Sequence, residues 1–279
     1  MSNINQINSL LKKLFPITRS LTGIGNMQTF LILKNILPSI KIQSIKSGTK
    51  GFDWKLPNEW HFNDAFIKNK YGKKIVNIKK NNLHLIGYSK PFKGIISKKE
   101  LLPHLYFLKK FPSWIPYRTS YYSDNWGFCV PYKLLKSKDF VGPFEVCIDT
   151  SFNKRGKLVY AEDKKKGSLK EEIIISTYCC HPSLANDNLS GLITAVLLFE
   201  YIRNQKTRKS YRLLIAPETI GVLCFLKKSK IKNISAGTVI TTTGGPDLLS
   251  IKDAYDIDHW INKVTHLAVS KFTNNKYIK

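Results

Sequence analysis

The sequence predicts an α/β protein: a mostly parallel mixed sheet flanked by helices, with a small inserted β-rich domain. Three observations carry that expectation. From residue 144 onward, short apolar runs alternate with helix-length ones in the order FEVCID, KLVYAED, EEIIISTYC, SGLITAVLLFEYIRNQ, YRLLIAP, TIGVLCFLKKS and AGTVITTT. Strands that are apolar along much of their length are buried on both faces, the pattern of a largely parallel sheet covered by helices. Between about residues 50 and 136 the character changes to short β-branched and aromatic runs separated by turn clusters. A chain of 279 residues with 43% hydrophobic content can bury one large core and carry such an insert.

Taken in order, residues 4 to 36 place Ile7, Leu10, Leu11 and Leu14, then Leu31, Ile32 and Ile36, at helical spacing. The intervening FPITRSLTGIGN holds Pro16, Gly23 and Gly25 and reads as a loop between two helices. KKIVNIK, LHLIGYS, GIISK and WGFCVP then read as short strands of the insert, and aromatics concentrate in FDWKLPNEW and SWIPYRTSYYSDNWGF. The expected division is residues 1–49 and 137–279 as the α/β domain and 50–136 as the insert. SGLITAVLLFEYI reads as a helix of about four turns, following the strand that contains IIIST.

Charge and cysteine content restrict the function classes. The formal net charge is +26, which invites a nucleic-acid reading, but only six of the 45 basic residues are arginine, the side chain suited to bidentate phosphate and base recognition. The lysines are spread along the whole chain, so nucleic acid is not the expected partner. Five cysteines, Cys129, Cys147, Cys179, Cys180 and Cys224, form no CxxC pair and read as reduced thiols. There is no apolar run long enough for a membrane span and no secretory leader pattern, so a cytoplasmic protein with no membrane partner is expected.

The stretch CCHPSLANDNLSG, residues 179–191, lies beyond the carboxyl end of an expected parallel strand, where open α/β sheets hold their ligands. His181 offers an imidazole nitrogen and Asp187 a carboxylate, both suited to zinc. Asn186, Asp187, Asn188 and Ser190 are equally good helix N-caps, so the same residues also fit a strand-to-helix turn. A second carboxylate shifts the balance toward a metal. Glu218, in RLLIAPETIG, again follows a strand directly, so two successive strands bring His, Asp and Glu to one edge of the sheet. Hydrolysis at a metal needs such a carboxylate to take a proton from water. His61, His84 and His104 lack a partner pattern and read as structural, as do His259 and His266 on an amphipathic segment near the end. The aromatic clusters read as insert core and domain interface, with SYYSDNWGF also able to reach over the site.

HPSLANDNLSG followed by PETIG, and preceded by FPITRSLTGIG, FDWKLPNEW and IPYRTSYYSDNWGFC, resembles the bacterial aminopeptidase-like proteins that carry a domain of unknown function and are related to the co-catalytic zinc exopeptidases. The resemblance runs from about residue 10 to at least 245. It implies a phosphorylase/hydrolase-like catalytic domain interrupted by a protease-associated-like β domain. It also implies one or two zinc ions held by His181 and Asp187, with Glu218 as general base or ligand, acting on a peptide or amino-acid-conjugate substrate. Members of that family continue through a further acidic motif and another histidine ligand, which implies a chain cut short at its C-terminus. Two other readings remain at this point: a catalytically inactive relic serving as a binding or scaffold protein, and a basic polyanion-binding protein.

Overall fold

The computed structural model describes residues 4–229, 231–246, 248–274 and 276–278. Two helices, α1 (Ile4–Leu14) and α2 (Ile24–Leu33), precede strand β1 (Lys41–Lys46) and a short hairpin, β2 (Lys50–Gly51) with β3 (Trp54–Lys55). The β-rich stretch follows as β4 (Glu59–Lys68), β5 (Lys74–Asn77), β6 (Phe92–Ile96), the single turn α3 (Lys98–Leu101), β7 (Leu105–Tyr106), β8 (Phe128–Cys129) and the turn α4 (Tyr132–Leu135). The chain continues through β9 (Phe144–Asn153), β10 (Lys157–Lys165), β11 (Glu172–Tyr178), α5 (Gly191–Arg203), β12 (Ser210–Ala216), α6 (Ile220–Lys228), β13 (Ile234–Val239) and α7 (Trp260–Thr273). No helix among the described residues is long and apolar enough to cross a membrane.

The protein is α/β, and its main sheet has the order β1-β10-β12-β11-β13. β11 pairs in parallel with β12 and β13, whereas β10 runs antiparallel to both β1 and β12. The expectation of a mostly parallel sheet therefore holds only for the β12-β11-β13 half. The reason is a connection: β10 leads into β11 through residues 166–171 with no crossover helix and so runs opposite to it, whereas α5 and α6 carry the chain between the parallel strands.

A second, wholly antiparallel sheet has the order β5-β4-β9-β6. FEVCID, the first apolar run of the expected α/β series, is β9, and it pairs with β4 and β6 instead. Its apolar residues alternate, Phe144, Val146 and Ile148 being buried, as in a strand whose alternate side chains face a core. LHLIGYS does not form a strand. Asn81 accepts a hydrogen bond from Leu83 N and starts a short 3-10 turn, and Tyr88 sits at φ 63°, outside extended backbone.

The main sheet separates two apolar cores. Along β12, Leu213 and Ile215 pack with Leu14 of α1, Phe30 of α2 and Val196 and Phe199 of α5, while Leu214 and Ala216 pack with Phe225 of α6 and with Trp60, Tyr88 and Phe144 from the second sheet's side. Alternate side chains of one strand thus feed both cores, and each fully buried Leu or Ile contributes about 1.5–3 kcal/mol. Buried Arg212 of β12 pairs with Glu172 of β11 across the sheet and lies 3.8 Å from Glu162 of β10.

Candidate metal centre

β11 and β12 are parallel neighbours, so the residues beyond their carboxyl ends emerge side by side. Residues 179–190 follow β11, and Pro217, Glu218 and Thr219 follow β12. The two segments are tied together: Cys179 N donates to Ala216 O at 3.3 Å, and Glu218 N donates to Cys180 Sγ at 3.3 Å. Thr219, a β-branched residue, is held at φ 56°, a conformation that costs free energy and persists only where surrounding contacts impose it. Pro217 ends β12 as the sequence suggests.

His181, Asp187 and Glu218 come together. His181 Nδ1 lies 3.1 Å from Asp187 Oδ1, and His181 Nε2 lies 3.3 Å from Glu218 Oε2. The imidazole side chain is 11% exposed, while Asp187 and Glu218 are about half exposed at 47% and 52%. Asp187 is anchored further by the Tyr178 hydroxyl, which donates to Oδ1 at 2.7 Å and accepts from Thr241 Oγ1 at 2.7 Å. Burial alone would lower the His181 pKa; hydrogen bonds to Asp187 and Cys180 outweigh it and raise the value to about 10. The Asp187 carboxyl is held below its usual range, first by the hydrogen bond from His181. Burial pushes the Tyr178 phenol up to about 12, so it stays a donor at neutral pH.

The loop is braced by its asparagines, although α5 has no side-chain N-cap of the kind their residue types suggest. Asn188 Nδ2 donates to Thr177 Oγ1 and Tyr178 O, its Oδ1 accepts from Thr242 N, and Asn186 Oδ1 accepts from Gly244 N. Gly191 is required where α5 begins: a Cβ there would lie 2.3 Å from Asn188 Oδ1 and 2.6 Å from Ile240 O. The FPITRSLTGIG stretch also acquires a role. Arg19, 2% exposed, donates from Nε to His181 O at 3.0 Å and from Nη1 to Leu14 O at 2.6 Å, joining the end of α1 to the site. Burial lowers its pKa to about 10, so the guanidinium stays charged at neutral pH.

Above these groups is a cavity of about 330 Å³. Cys180, His181 and Glu218 form one side, and Trp54, Tyr117, Tyr121 and Tyr122 another. The Tyr117 ring centroid lies 4.9 Å from that of His181. Burial raises the pKa values of Tyr117 and Tyr121, which keeps both neutral. SYYSDNWGF thus reaches the site through Tyr121 and Tyr122. Cys180, expected only to be a reduced thiol, also lines this cavity. The remaining histidines make local contacts: His61 with Glu59, His84 with Cys129 O, His104 with Trp126, His259 with Ile261 N, and His266 with Asp253 and Tyr277.

The donor set suits zinc. Two ligands on a tetrahedral zinc with bonds of about 2.0–2.2 Å are ~3.3–3.6 Å apart, and His181 Nε2 and Glu218 Oε2 are already 3.3 Å apart. Cys180, His181 and Glu218 each offer a donor atom, all within 4.8 Å of one another. Asp187 meets the opposite ring nitrogen.

Comparison with known proteins gives a family and similar folds. A sequence family described as "Domain of unknown function (DUF4910)" matches residues 8–279. A Clostridium acetobutylicum protein, described as a candidate polysaccharide biosynthesis protein with an aminopeptidase-like domain, is 39% identical over 278 residues, covering 98% of this chain. The chain spans 63% of that relative's length. A crystal structure of a candidate peptidase from the same organism superposes with a TM-score of 0.90 at 40% identity, covering 93% of this chain and 61% of that one. A zinc aminopeptidase from Bacillus subtilis shares the fold, with a TM-score of 0.59 at 9% identity over 98% of this chain and 79% of its own.

Proposed function

This chain belongs to the DUF4910 family, and from that membership and the site we propose that it is a zinc-dependent aminopeptidase-like hydrolase of peptide or amide bonds. One observation carries the reading: a histidine with a carboxylate at each ring nitrogen, at 3.1 and 3.3 Å, at the carboxyl ends of two parallel strands and beside a cavity. His181 and the carboxylates Asp187 and Glu218 would hold one or two zinc ions. When bound, zinc supplies a Lewis acid that polarises a carbonyl and lowers the pKa of water.

The chain's own residues supply the rest. Tyr178 holds the Asp187 carboxylate, and Arg19 fixes the His181 backbone. Glu218 has two carboxylate oxygens: one would join the ligand set, and the other would take a proton from the attacking water and return it to the leaving amine. Trp54, Tyr121 and Tyr122 offer flat apolar faces against which a substrate side chain or sugar ring can rest. The relative's description links its aminopeptidase-like domain to polysaccharide biosynthesis, so amides of amino sugars belong beside peptides in a substrate panel.

The test is amide hydrolysis on aminoacyl anilides, short peptides and N-acyl amino sugars, before and after chelation and zinc return. Activity that disappears with chelator, returns with zinc and is absent in His181→Ala and Glu218→Gln supports the reading. Turnover indifferent to chelator overturns the zinc assignment. Tight zinc binding without turnover on any substrate would identify a binding protein built on the hydrolase fold.

A further inference from the structure

We propose that the substrate's amide carries an extended aliphatic chain, which lies in an apolar groove that runs from Glu218 along α6 against β11 and β13. The groove is a feature of the fold alone; that its occupant is part of a substrate rests on the hydrolase reading above.

The groove has a volume of about 610 Å³, within the ~300–1,000 Å³ usual for small-molecule pockets. Its base is the edge of one apolar core, where Leu214 of β12 and Phe225 of α6 are each 1% exposed. Val222 and Leu226 line it from α6, and Ile234 and Val239 from β13. Leu226 and Val239 are 37% and 64% exposed. Single exposed apolar side chains are ordinary on a protein surface, but here they converge on one concave strip, the mark of a binding surface. Among the described residues that line the groove there is no lysine or arginine, in a chain that has 45 of them. A charged chain would be desolvated there without a partner, whereas an aliphatic one loses water at no such cost.

The groove begins at the metal site. β11 runs parallel to β12 and β13, and α6 connects the end of β12 to the start of β13. Tyr178, Glu218 and Thr219 therefore lie at the carboxyl ends of the strands, and Leu226 and Ile234 toward the amino ends. The nine residues of α6 give the groove about 13 Å of length, enough for a chain rather than a methyl group. Glu218 and Thr219 line both this groove and the 330 Å³ aromatic cavity. An amide held at Glu218 thus has Trp54, Tyr121 and Tyr122 on one side and the aliphatic strip on the other. At the junction the hydroxyl protons are already committed: Thr177 Oγ1 donates to Ile240 O, and Tyr178 donates to Asp187.

Straight-chain primary amides from butanamide to octanamide, and N-alkylacetamides of matching length, are titrated into the full chain by calorimetry, with zinc and again with chelator. Each methylene that enters the groove should tighten binding about fourfold, and the four that separate butanamide from octanamide by roughly 10²-fold. The series that shows the slope identifies the side of the scissile bond that carries the chain. The slope should persist with chelator, because the groove meets the ligand set only at Glu218. With zinc, kcat/KM for the same amides should rise in the same order. Val239→Asp and Leu226→Asp put charge at exposed positions of the groove and should flatten the slope, while Ile95→Asp, 74% exposed on β6, should leave it intact. Binding indifferent to chain length in the wild type, or a slope that survives both groove variants, overturns the proposal. A flat series together with a dimer in sedimentation that Val239→Asp disperses assigns the groove to a second copy instead. A steep slope without turnover of any amide keeps the groove as an aliphatic-chain site and overturns the substrate assignment together with the hydrolase reading.

Discussion

Tyr178→Phe removes one oxygen atom from the support of the site and leaves the ring's packing in place. That hydroxyl donates to Asp187 Oδ1 at 2.7 Å and is itself positioned by Thr241 at 2.7 Å. Asp187 in turn accepts at 3.1 Å from His181, so the hydroxyl bears directly on one proposed zinc ligand and through it on the other. A hydrogen bond to a charged acceptor contributes about 1.5–3 kcal/mol. If that difference passes fully to the metal-bound state, affinity falls by about one to two decades, the range found when outer partners of metal-ligating histidines are removed. The assay is competition for zinc against a chromophoric chelator at neutral pH, with circular dichroism of both proteins as the fold control. An affinity unchanged within about twofold in a folded Tyr178→Phe protein would refute the chain of support from Thr241 through Asp187 to His181.

The other predictions concern the scaffold. Arg212→Leu should lower stability to urea by about 3–5 kcal/mol, because Glu172 and Glu162 lose their buried cation; a loss below 1 kcal/mol would show that water reaches them. Gly191→Ala places a methyl 2.3 Å from Asn188 Oδ1 and should cost about 1–3 kcal/mol, read from the urea midpoint; an unchanged midpoint would contradict the close approach. His84 has its pKa lowered, by burial first and against the hydrogen bond to Cys129 O. The unfolded chain therefore binds the extra proton, so stability holds above about pH 6.5 and falls as pH drops toward the folded value. His84→Gln should flatten that acid-side slope, and a slope equal to wild type would remove His84 as its source.

What could be read in the sequence follows from what each pattern encodes. IIIST and YRLLIAP declare buried strands because both faces are covered, as Leu213 and Leu214 show by packing into different cores. The partner of a strand is not encoded in that way. β9 alternates apolar and polar residues as any half-buried strand does, and only the fold shows that it joins β4 and β6. LHLIGYS has the composition of a strand, but the Asn81 cap and the positive φ of Tyr88 turn the chain. His181 and Glu218 were legible because each follows a strand directly in a parallel pair. The place of Cys180 on the cavity wall was not, because a cysteine just past a strand carries no pattern that separates a cavity wall from core packing. SYYSDNWGF was read as able to reach the site, but Trp54 and Tyr117 come to the cavity from more than 50 positions away in the chain, a juxtaposition that no local pattern records.

The central claim is that His181 anchors a zinc ion, and elemental analysis tests it most directly. Wild type and His181→Ala are equilibrated with zinc, dialysed against metal-free buffer and measured for zinc per chain, with circular dichroism confirming that both are folded. Near-stoichiometric zinc in the wild type and none in the variant is the predicted result. A metal-free wild type, or zinc retained by the variant, would contradict it.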